Sequence, residues 1–192
     1  MNWHVRKFHL IAPIYQFFFR FQTFYYWRIL RVHLRSLKLE KNSRILDLGS
    51  GTGAFAYSWQ KAGYPVLAAD AAPGMIRQCK KNGLDCMEFD ILKGIPFVDK
   101  SFSVVTAAYL AHGLSSVDRE IMYRETSRVA EKCVIFHDFS NRYNFFISFI
   151  ESLEGSYYWE FISSAPAEME KHFDHVEVIS VDPWHNWYIC RP

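Results

Sequence analysis

The sequence predicts an α/β fold in which helices cover both faces of a mostly parallel sheet. From residue 44 onward, short apolar runs alternate with segments of helical length. Glycines follow the first two predicted helices, and acidic residues or glycines follow the first predicted strands. Half of the 192 residues are apolar and 22% are charged, a composition that can bury the core of a single domain.

The elements up to residue 136 are defined by these runs and by the residues that end them. Gly63 and Gly83 each follow a predicted helix, and Pro73 lies in the first turn of the second helix. The predicted strands are residues 44–48, 65–69, 84–89, 102–107 and 132–136. The predicted helices are residues 54–62, 73–82 and 118–130. Such helical crossovers are what a parallel sheet requires between its strands.

The alternating pattern changes after residue 139. We predict a helix at 141–153, a loop-rich segment at 154–166 and a short helix at 167–172. Two strands follow at 176–181 and 187–190, and their connection is too short for a helical crossover. The last two strands are therefore predicted to be antiparallel.

The first 44 residues carry an excess of positive charge and of aromatic rings. They contain nine Lys or Arg and one acid, Glu40, and eleven of the first 27 residues are Phe, Tyr or Trp. This pattern is typical of an amphipathic arm that packs its rings on the body of the protein. Peripheral membrane contact stays open as an alternative, whereas no nucleic-acid-binding motif accompanies the basic residues.

The four cysteines form no CxxC pair and have no metal-ligand spacing, so we expect no bound metal. All four are predicted to be reduced thiols: Cys79, Cys86, Cys133 and Cys190. The most apolar stretch is interrupted by arginines, and no secretory signal is evident. A cytoplasmic location is therefore expected.

The strongest local signal is the glycine-rich loop after the first strand, residues 49–53 (GSGTG). Glycines let the backbone turn tightly there and approach a ligand. The spacing also fits a dinucleotide fingerprint, but Asp47 at the mouth of the loop would repel a pyrophosphate. Asp70, at the end of the second strand, suits the two hydroxyls of an unphosphorylated ribose. Together these residues favour a nucleoside with a cationic tail, such as S-adenosylmethionine.

Further landmarks lie at the ends of other predicted strands, namely Asp90, Ala107 and Asp138. The carboxyl ends of parallel strands meet at one edge of a sheet, and open α/β sheets bind their ligands there. We therefore expect these residues to share one crevice with the glycine loop and Asp70.

Three segments together resemble the class I S-adenosylmethionine-dependent methyltransferases: residues 47–53 (DLGSGTG), 70–76 (DAAPGMI) and 89–102. The resemblance covers about residues 44–139. It implies a Rossmann-like sheet of seven strands in the order 3-2-1-4-5-7-6, with strand 7 antiparallel. It also implies methyl transfer, with S-adenosyl-L-methionine as cofactor and S-adenosyl-L-homocysteine as product, and a domain over residues 44–192.

The resemblance assigns roles to residues at the strand ends. Asp47 and the loop backbone would hold the methionine portion, Asp70 the ribose hydroxyls and Asp90 the adenine amino group. The cofactor-binding residues expected in this way are Asp47, Gly49, Ser50, Gly51, Gly53, Asp70, Ala71, Met75, Asp90, Ile91, Ala107 and Tyr15.

Residues 8–15 are similar to the entry helix of the ubiquinone and menaquinone C-methyltransferase-like branch, in which a Tyr-Asp pair closes over the cofactor. Here Tyr15 is followed by Gln16, so the acid of that pair is absent. The resemblance therefore supports a lid but not a quinone substrate. We expect residues 1–43 to form a helical lid and residues at about 141–170 to form a lid-like insert.

Methyl transfer requires alignment of nucleophile, methyl carbon and sulfur, and it requires a base only if the acceptor must lose a proton. The candidate catalytic residues follow the fourth and fifth strands and are Tyr109, His112 and Asp138. His137, next to Asp138, should point to the opposite face of its strand. The insert is rich in aromatic rings, which indicates a small apolar or aromatic acceptor.

Other functions remain open at this stage. The chain could use S-adenosylmethionine for non-methylating chemistry, or it could be a non-catalytic binding subunit of the same fold. A nucleotide-dependent oxidoreductase agrees less well with Asp47. The expected partner is a small-molecule acceptor and not a nucleic acid, while the acceptor, the methylated atom and the oligomeric state are not defined by the sequence.

Overall fold

The computed structural model of the protein describes residues 3–142 and 157–192. Its seven strands are β1 (Ile45–Leu48), β2 (Val66–Asp70), β3 (Asp85–Glu88), β4 (Phe102–Ala108), β5 (Ala130–Phe139), β6 (His175–Ser180) and β7 (His185–Arg191). They form a sheet in the order β3-β2-β1-β4-β5-β7-β6, and β7 runs antiparallel to β5 and β6. The predicted fold class, strand order and antiparallel edge are therefore confirmed.

The helices surround this sheet. In chain order they are α1 (Trp3–His33), α2 (Ala54–Lys61), α3 (Pro73–Lys81), α4 (Ser116–Val129) and α5 (Tyr158–Met169). Short 3-10 helices occur at Leu34–Leu37, Ile91–Lys93 and Ala111–Gly113. The chain divides into two compact units, Met1–Asp90 and Ile91–Pro192.

In the first unit, α1 packs on α2 and α3. The ring of Tyr26 lies 4.7 Å from that of Phe55, measured between centroids. Near its start, α1 approaches α3 so closely that a Cβ on Gly74 would lie 2.5 Å from the carbonyl oxygen of His9. The absence of a side chain at Gly74 therefore allows the contact between the two backbones. The helical character predicted for the arm is present, and its role as a lid stays a prediction.

The prediction of four reduced thiols is wrong for two of them. Cys79 in α3 and Cys86 in β3 form a disulfide, with their Cα atoms 6.5 Å apart. Cys133 and Cys190 are free and buried, as predicted. The pairing follows from the tight turn at Gly83, which folds β3 back beside α3 although the sequence shows no CxxC spacing. Because Cys79 and Cys86 are oxidised, the cysteines no longer support the prediction of a reducing compartment.

The second unit contains the parallel pair β4–β5, the antiparallel strands β6 and β7, and the helices α4 and α5. Helix α4 begins after Ser115, whose hydroxyl accepts the backbone N–H of Asp118 and so caps the helix. β5 extends beyond its predicted end to Phe139, because this part of the strand pairs with the start of β7 at His185. The extension includes Asp138 in the strand.

The loop-rich interpretation of residues 154–166 is wrong where α5 occurs. Serines and a proline disfavour the interior of a helix, but the Ser164 hydroxyl donates to the carbonyl of Glu160 and is satisfied within the helix. The buried side chains lie on one helical face and are Tyr158, Phe161, Ala165 and Met169. From residue 143 onward, the helix predicted at 141–153 lies outside the described residues.

A buried arginine fixes α5 to α4. The Arg119 guanidinium is inaccessible to solvent and donates twice to the Glu168 carboxylate, at 2.7 and 2.8 Å. It also donates to Glu160 at 3.0 Å and to the carbonyl of Leu114 at 2.6 Å. A bidentate pair of this kind adds directional specificity to the charge attraction. Arg119 thus ties α5 to the end of the 3-10 helix Ala111–Gly113.

None of the helices within residues 3–142 and 157–192 is both long and apolar enough to cross a membrane. This holds for α1 as well, although it has 31 residues.

We predict that Gly74→Ala destabilises the packing of α1 on α3. The new methyl group would force the two backbones apart, and overpacking of this kind costs about 1–3 kcal/mol of unfolding free energy. Gly113→Ala is the matched control, because nothing lies within 4 Å of its Cβ position. Urea denaturation should show the loss for Gly74→Ala alone. Equal stability of both variants would contradict the close packing of α1 on α3.

We predict that buried His137 makes the fold sensitive to acid. Burial, and next the nearby His185, lower the pKa of His137 from 6.5 to about 3. Between these values the unfolded chain binds the proton more readily, so stability falls as the pH drops from about 6.5 toward 3. One such group contributes a slope of at most about 1.4 kcal/mol per pH unit.

Urea denaturation at several pH values checks this prediction. His137→Gln should reduce the slope in that window, whereas the exposed control His175→Gln should retain it. Parallel slopes for His137→Gln and the unmodified protein would show that His137 does not carry the effect.

Candidate functional site

In the first unit, the glycine loop is bound to the end of β2 through Asp70. The N–H of Gly51 donates to Asp70 Oδ2 at 2.9 Å, and the N–H of Ala72 donates to Oδ1 at 2.8 Å. Gly51 adopts φ of +56°, in the left-handed region where a Cβ would be strained. This backbone conformation directs its N–H to the carboxylate.

The Asp70 carboxylate retains the capacity to accept further hydrogen bonds. Burial raises its pKa, while hydrogen bonds from the backbone at Ala72, Gly51 and Ala71 favour the charged form. A carboxylate has about four acceptor positions, so hydroxyl donors of a ligand can be accommodated beside these N–H groups. This chemistry fits the expected ribose.

Asp47 and Ser50 also lie at the loop. Asp47 is buried, and its Oδ2 accepts the N–H of Ala56 in the first turn of α2 at 3.1 Å. The hydroxyl of Ser50 is buried and has no hydrogen-bond partner among the described residues. An unsatisfied buried hydroxyl carries a free-energy cost, which a polar group of a ligand would remove. The loop therefore fits a ligand with a polar end, whereas direct contact of Asp47 with that ligand stays a prediction.

Apolar residues of α1 cover the start of α3 in the same unit. Phe8 and Tyr15 pack against a buried cluster of Ala12, Ala72 and Met75. Ala71, next to this cluster, is half-buried. The structure thus brings Tyr15 to Met75, another of the expected cofactor-binding residues, and the contact of these residues with a cofactor stays a prediction.

Sequence reasoning missed a second connection between α1 and the loop. Gln16 and Asn82 exchange two amide hydrogen bonds, at 2.8 and 3.0 Å. The Asn82 amide also donates to the carbonyl of Thr52 within the glycine loop at 2.9 Å. The residue that stands where the resembling branch has an acid therefore links the arm to the loop through Asn82.

The remaining expected cofactor residues lie in or near the segments that follow β1, β3 and β4, except that Ala107 lies within β4. Gly49 and Gly53 both have positive φ. Asp90 is half-buried at the end of the first unit. Ile91 begins a 3-10 helix, and Ala107 is buried in β4. Their binding roles stay predictions.

In the second unit, His112 and Asp138 form a buried pair. His112 Nδ1 lies 2.7 Å from Asp138 Oδ1, and the side chain of Asp138 is 1% exposed. The carboxylate also accepts the N–H groups of Ala111, His112 and Phe139, at 3.1, 3.3 and 2.9 Å. Burial opposes the charged carboxylate, but the His112 ring and these hydrogen bonds hold the pKa of Asp138 below its ordinary value. The carboxylate thereby orients the imidazole ring.

Tyr109 lies beside this pair in a strained conformation. Its φ is +52°, which costs a residue with a side chain about 1–2 kcal/mol, and its N–H donates to the carbonyl of His137 at 2.9 Å. Its ring contacts those of His112 and Phe139. Strain of this kind is often retained where a side chain has a specific function. The three predicted catalytic residues therefore lie together.

A second histidine–carboxylate pair borders the same cluster and was missed by sequence reasoning. His185 Nδ1 lies 2.8 Å from Asp182 Oδ2, and the His185 ring packs on those of Tyr109 and His137. The predicted antiparallel direction of β7 was the available signal. It places the start of β7 beside the carboxyl end of β5, as the pairing of Phe139 with His185 shows.

Comparison with known proteins identifies the domain. Residues 45–132 match the family model described as methyltransferase domain. A demethylmenaquinone methyltransferase from Thermus thermophilus is 37% identical over 110 residues, which are 52% of this chain and 49% of that protein. An uncharacterized methyltransferase from Bacillus subtilis, YcgJ, is 26% identical over 105 residues, which are 52% of this chain and 41% of that protein. The chain therefore spans less than half the length of these relatives.

A solved structure shares the fold at low sequence identity. The protein in a DhpI-SAM-HEP complex superimposes with a TM-score of 0.70 at 17% identity, covering 98% of this chain and 96% of that one. The domain match confirms the resemblance drawn from the glycine loop and the following acids, and it supports S-adenosylmethionine as the expected cofactor. Residues 45–132 thus match a methyltransferase domain, in agreement with the resemblance to the class I, S-adenosylmethionine-dependent methyltransferases.

Proposed function

We propose that the protein transfers a methyl group in line from S-adenosylmethionine to a small aromatic or apolar acceptor whose nucleophilic atom carries a proton. The observation that carries this proposal is the His112–Asp138 pair, buried among aromatic rings in a chain with a methyltransferase domain. A base of this kind contributes to methyl transfer only when the acceptor must be deprotonated.

His112 is the proposed base and Asp138 the residue that positions it. Because Asp138 binds Nδ1, it favours the tautomer in which Nδ1 carries the proton and Nε2 has the basic lone pair. His112 Nε2 would take the acceptor's proton as the nucleophile forms its bond to the methyl carbon and the carbon–sulfur bond breaks, with S-adenosylhomocysteine as the leaving group. The Asp138 carboxylate would stabilise the resulting imidazolium, which is the role of the carboxylate in other histidine–carboxylate pairs.

The surrounding rings support an aromatic acceptor. Phe139 lies 4.8 Å from the His112 ring and 5.0 Å from that of Tyr158, measured between centroids. Ring faces and edges of this kind pack well against another aromatic system. The Thermus relative is a demethylmenaquinone methyltransferase. An acceptor of the phenol or quinol type would combine an aromatic body with the ionisable proton that His112 is proposed to remove.

The first unit provides the residues proposed to hold the cofactor. S-adenosylmethionine supplies an electrophilic methyl group on a sulfonium. Asp70 would accept the ribose hydroxyls, and the Ser50 hydroxyl and the loop N–H groups would bind the methionine end. Tyr15 and Met75 would exclude water from the apolar part of the ligand.

Two other functions make different predictions. A non-catalytic binding subunit would bind S-adenosylhomocysteine but would methylate no acceptor. A relative with different chemistry would consume S-adenosylmethionine without transferring its methyl group. Incubation with methyl-labelled S-adenosylmethionine and a panel of phenols, quinols and aliphatic thiols separates these cases. Labelled product from the aromatic acceptors is expected.

We predict that Asp70→Asn weakens the binding of S-adenosylhomocysteine. Charge-assisted hydrogen bonds are worth about 1.5–3 kcal/mol, which corresponds to roughly a 10–150-fold increase in Kd. Asp85→Asn is the matched control, because Asp85 is exposed at the start of β3. Calorimetry should show the loss for Asp70→Asn alone. An unchanged Kd would remove Asp70 from the binding site.

We predict that His112→Gln lowers kcat for an acceptor found in the panel by about 10²–10⁴-fold, the usual contribution of a general base. The Kd of S-adenosylhomocysteine should stay unchanged, because His112 is not a proposed cofactor ligand. The rise of rate with pH that reports an essential base should also disappear. His175→Gln is the control, since His175 is exposed.

Asp138→Asn tests whether Asp138 positions the His112 ring for the reaction or only stabilises the fold. It should lower kcat and alter the pH profile while the protein remains folded and binds S-adenosylhomocysteine. If both His112→Gln and Asp138→Asn kept full activity, the pair would have no role in the reaction.

A further inference from the structure

The outer face of α1 carries a row of exposed apolar side chains. Their exposed fractions are 76% for Leu10, 61% for Ile14, 84% for Phe17, 74% for Phe21 and 61% for Phe24. The spacings of four and three residues place all five on one side of the helix, and we call this row the aromatic stripe. Isolated exposed apolar residues are ordinary, but a continuous row of this kind indicates an interaction surface.

The opposite face of α1 already has a partner within the first unit. Ala12, Thr23, Tyr26 and Leu30 are buried there, where α1 packs on α2 and α3. The aromatic stripe is therefore separate from the face of α1 that packs on α2 and α3. Its residues do not contribute to the cluster around Met75.

The charges beside the aromatic stripe are positive. Arg20, Arg28 and Arg31 are exposed on α1, and the segment that follows exposes four more, at Arg35, Lys38, Lys41 and Arg44. The chain has no Asp or Glu before Glu40. A partner that covers the aromatic stripe must therefore supply negative charge along its borders.

We propose that the aromatic stripe docks α1 in the plane of an anionic lipid surface. Phenylalanines would enter the boundary between headgroups and acyl chains, and the arginines would contact lipid phosphates, as in interfacial amphipathic helices. The helix does not meet the requirements for a membrane span, which agrees with a position in the plane of the surface.

Charge decides against a second copy of this chain as the partner. Two α1 helices in contact through their aromatic stripes would place arginines beside arginines in either orientation, since α1 contains no acid. An anionic lipid layer provides neutralising groups along the whole row. The proposal is independent of the proposed methyl transfer, since it depends on the outer face of α1 and on the basic residues beside and after it.

Co-sedimentation of the full chain with vesicles tests the proposal, with no cofactor present. Vesicles of phosphatidylcholine mixed with phosphatidylglycerol should pellet the protein, and vesicles of phosphatidylcholine alone should pellet much less. The double variant Phe17→Ser/Phe21→Ser should lower the partition coefficient by about tenfold or more, because interfacial binding scales with the apolar area inserted. Val98→Ser/Val117→Ser is the matched control, since these valines are also exposed, at 78% and 67%.

A charge variant tests the contribution of the arginines to vesicle binding separately. Arg20→Gln/Arg28→Gln/Arg31→Gln should weaken binding to the anionic vesicles, and the difference from the unmodified protein should shrink at high salt. It also serves as the second measurement if the double Phe variant does not fold, which circular dichroism shows.

Three results with vesicles or in light scattering would overturn the proposal. They are no binding to anionic vesicles, equal binding by the unmodified protein and both α1 variants, and a dimer in light scattering that the Phe variant dissociates. Binding of single-stranded RNA in the absence of vesicle binding would also overturn it and assign the basic residues to nucleic acid. Calorimetry with S-adenosylhomocysteine keeps the two proposals apart, because the Phe variant should retain cofactor affinity.

Discussion

The Asp70 carboxylate is the group on which the positions of the glycine loop and of the entry to α3 depend in the first unit. It accepts the N–H of Gly51 from the loop and the N–H of Ala72 from the entry to α3. A single charged group therefore fixes two chain segments that are about 20 residues apart in sequence. The arrangement is possible because Gly51 tolerates positive φ and because the backbone N–H groups offset the cost of burying the charge. Hydroxyl donors of a ligand would further stabilise the ionised Asp70 carboxylate, and they would not compete with these backbone N–H groups.

The second unit relies on a different constraint, the reversed direction of β7. Because β7 runs antiparallel to β5, its first residue lies beside Phe139 at the carboxyl end of β5. His185 and its partner Asp182 thus reach the rings around Tyr109. A parallel strand would have placed its carboxyl end there, and the chain would have needed a long crossover to reach that position.

The sequence was sufficient where local pattern determines structure. Alternating apolar runs predicted the sheet, and the short connection before β7 predicted its direction. The disulfide between Cys79 and Cys86 escaped prediction because it depends on how a helix and the next strand fold against each other. The same applies to Gln16, whose partner Asn82 is 66 residues away. Most of helix α5 was assigned to a loop, and only its end overlaps the helix predicted at 167–172, because Pro166 and the serines favour loops locally while packing of the apolar face stabilises a helix.

Helix α1 depends on contacts with the start of α3. Its first turn lacks acids and so gains no stabilisation from the helix dipole, whereas Arg31 and His33 suit its last turn. The first half of α1 therefore depends on tertiary contacts, above all the close approach at Gly74 and the packing of Tyr15 near Met75. These contacts lie on α3, directly after the segment that binds Asp70. The residue that binds Asp70 and the contact surface for α1 are therefore neighbours at the start of α3, at Ala72 and Gly74.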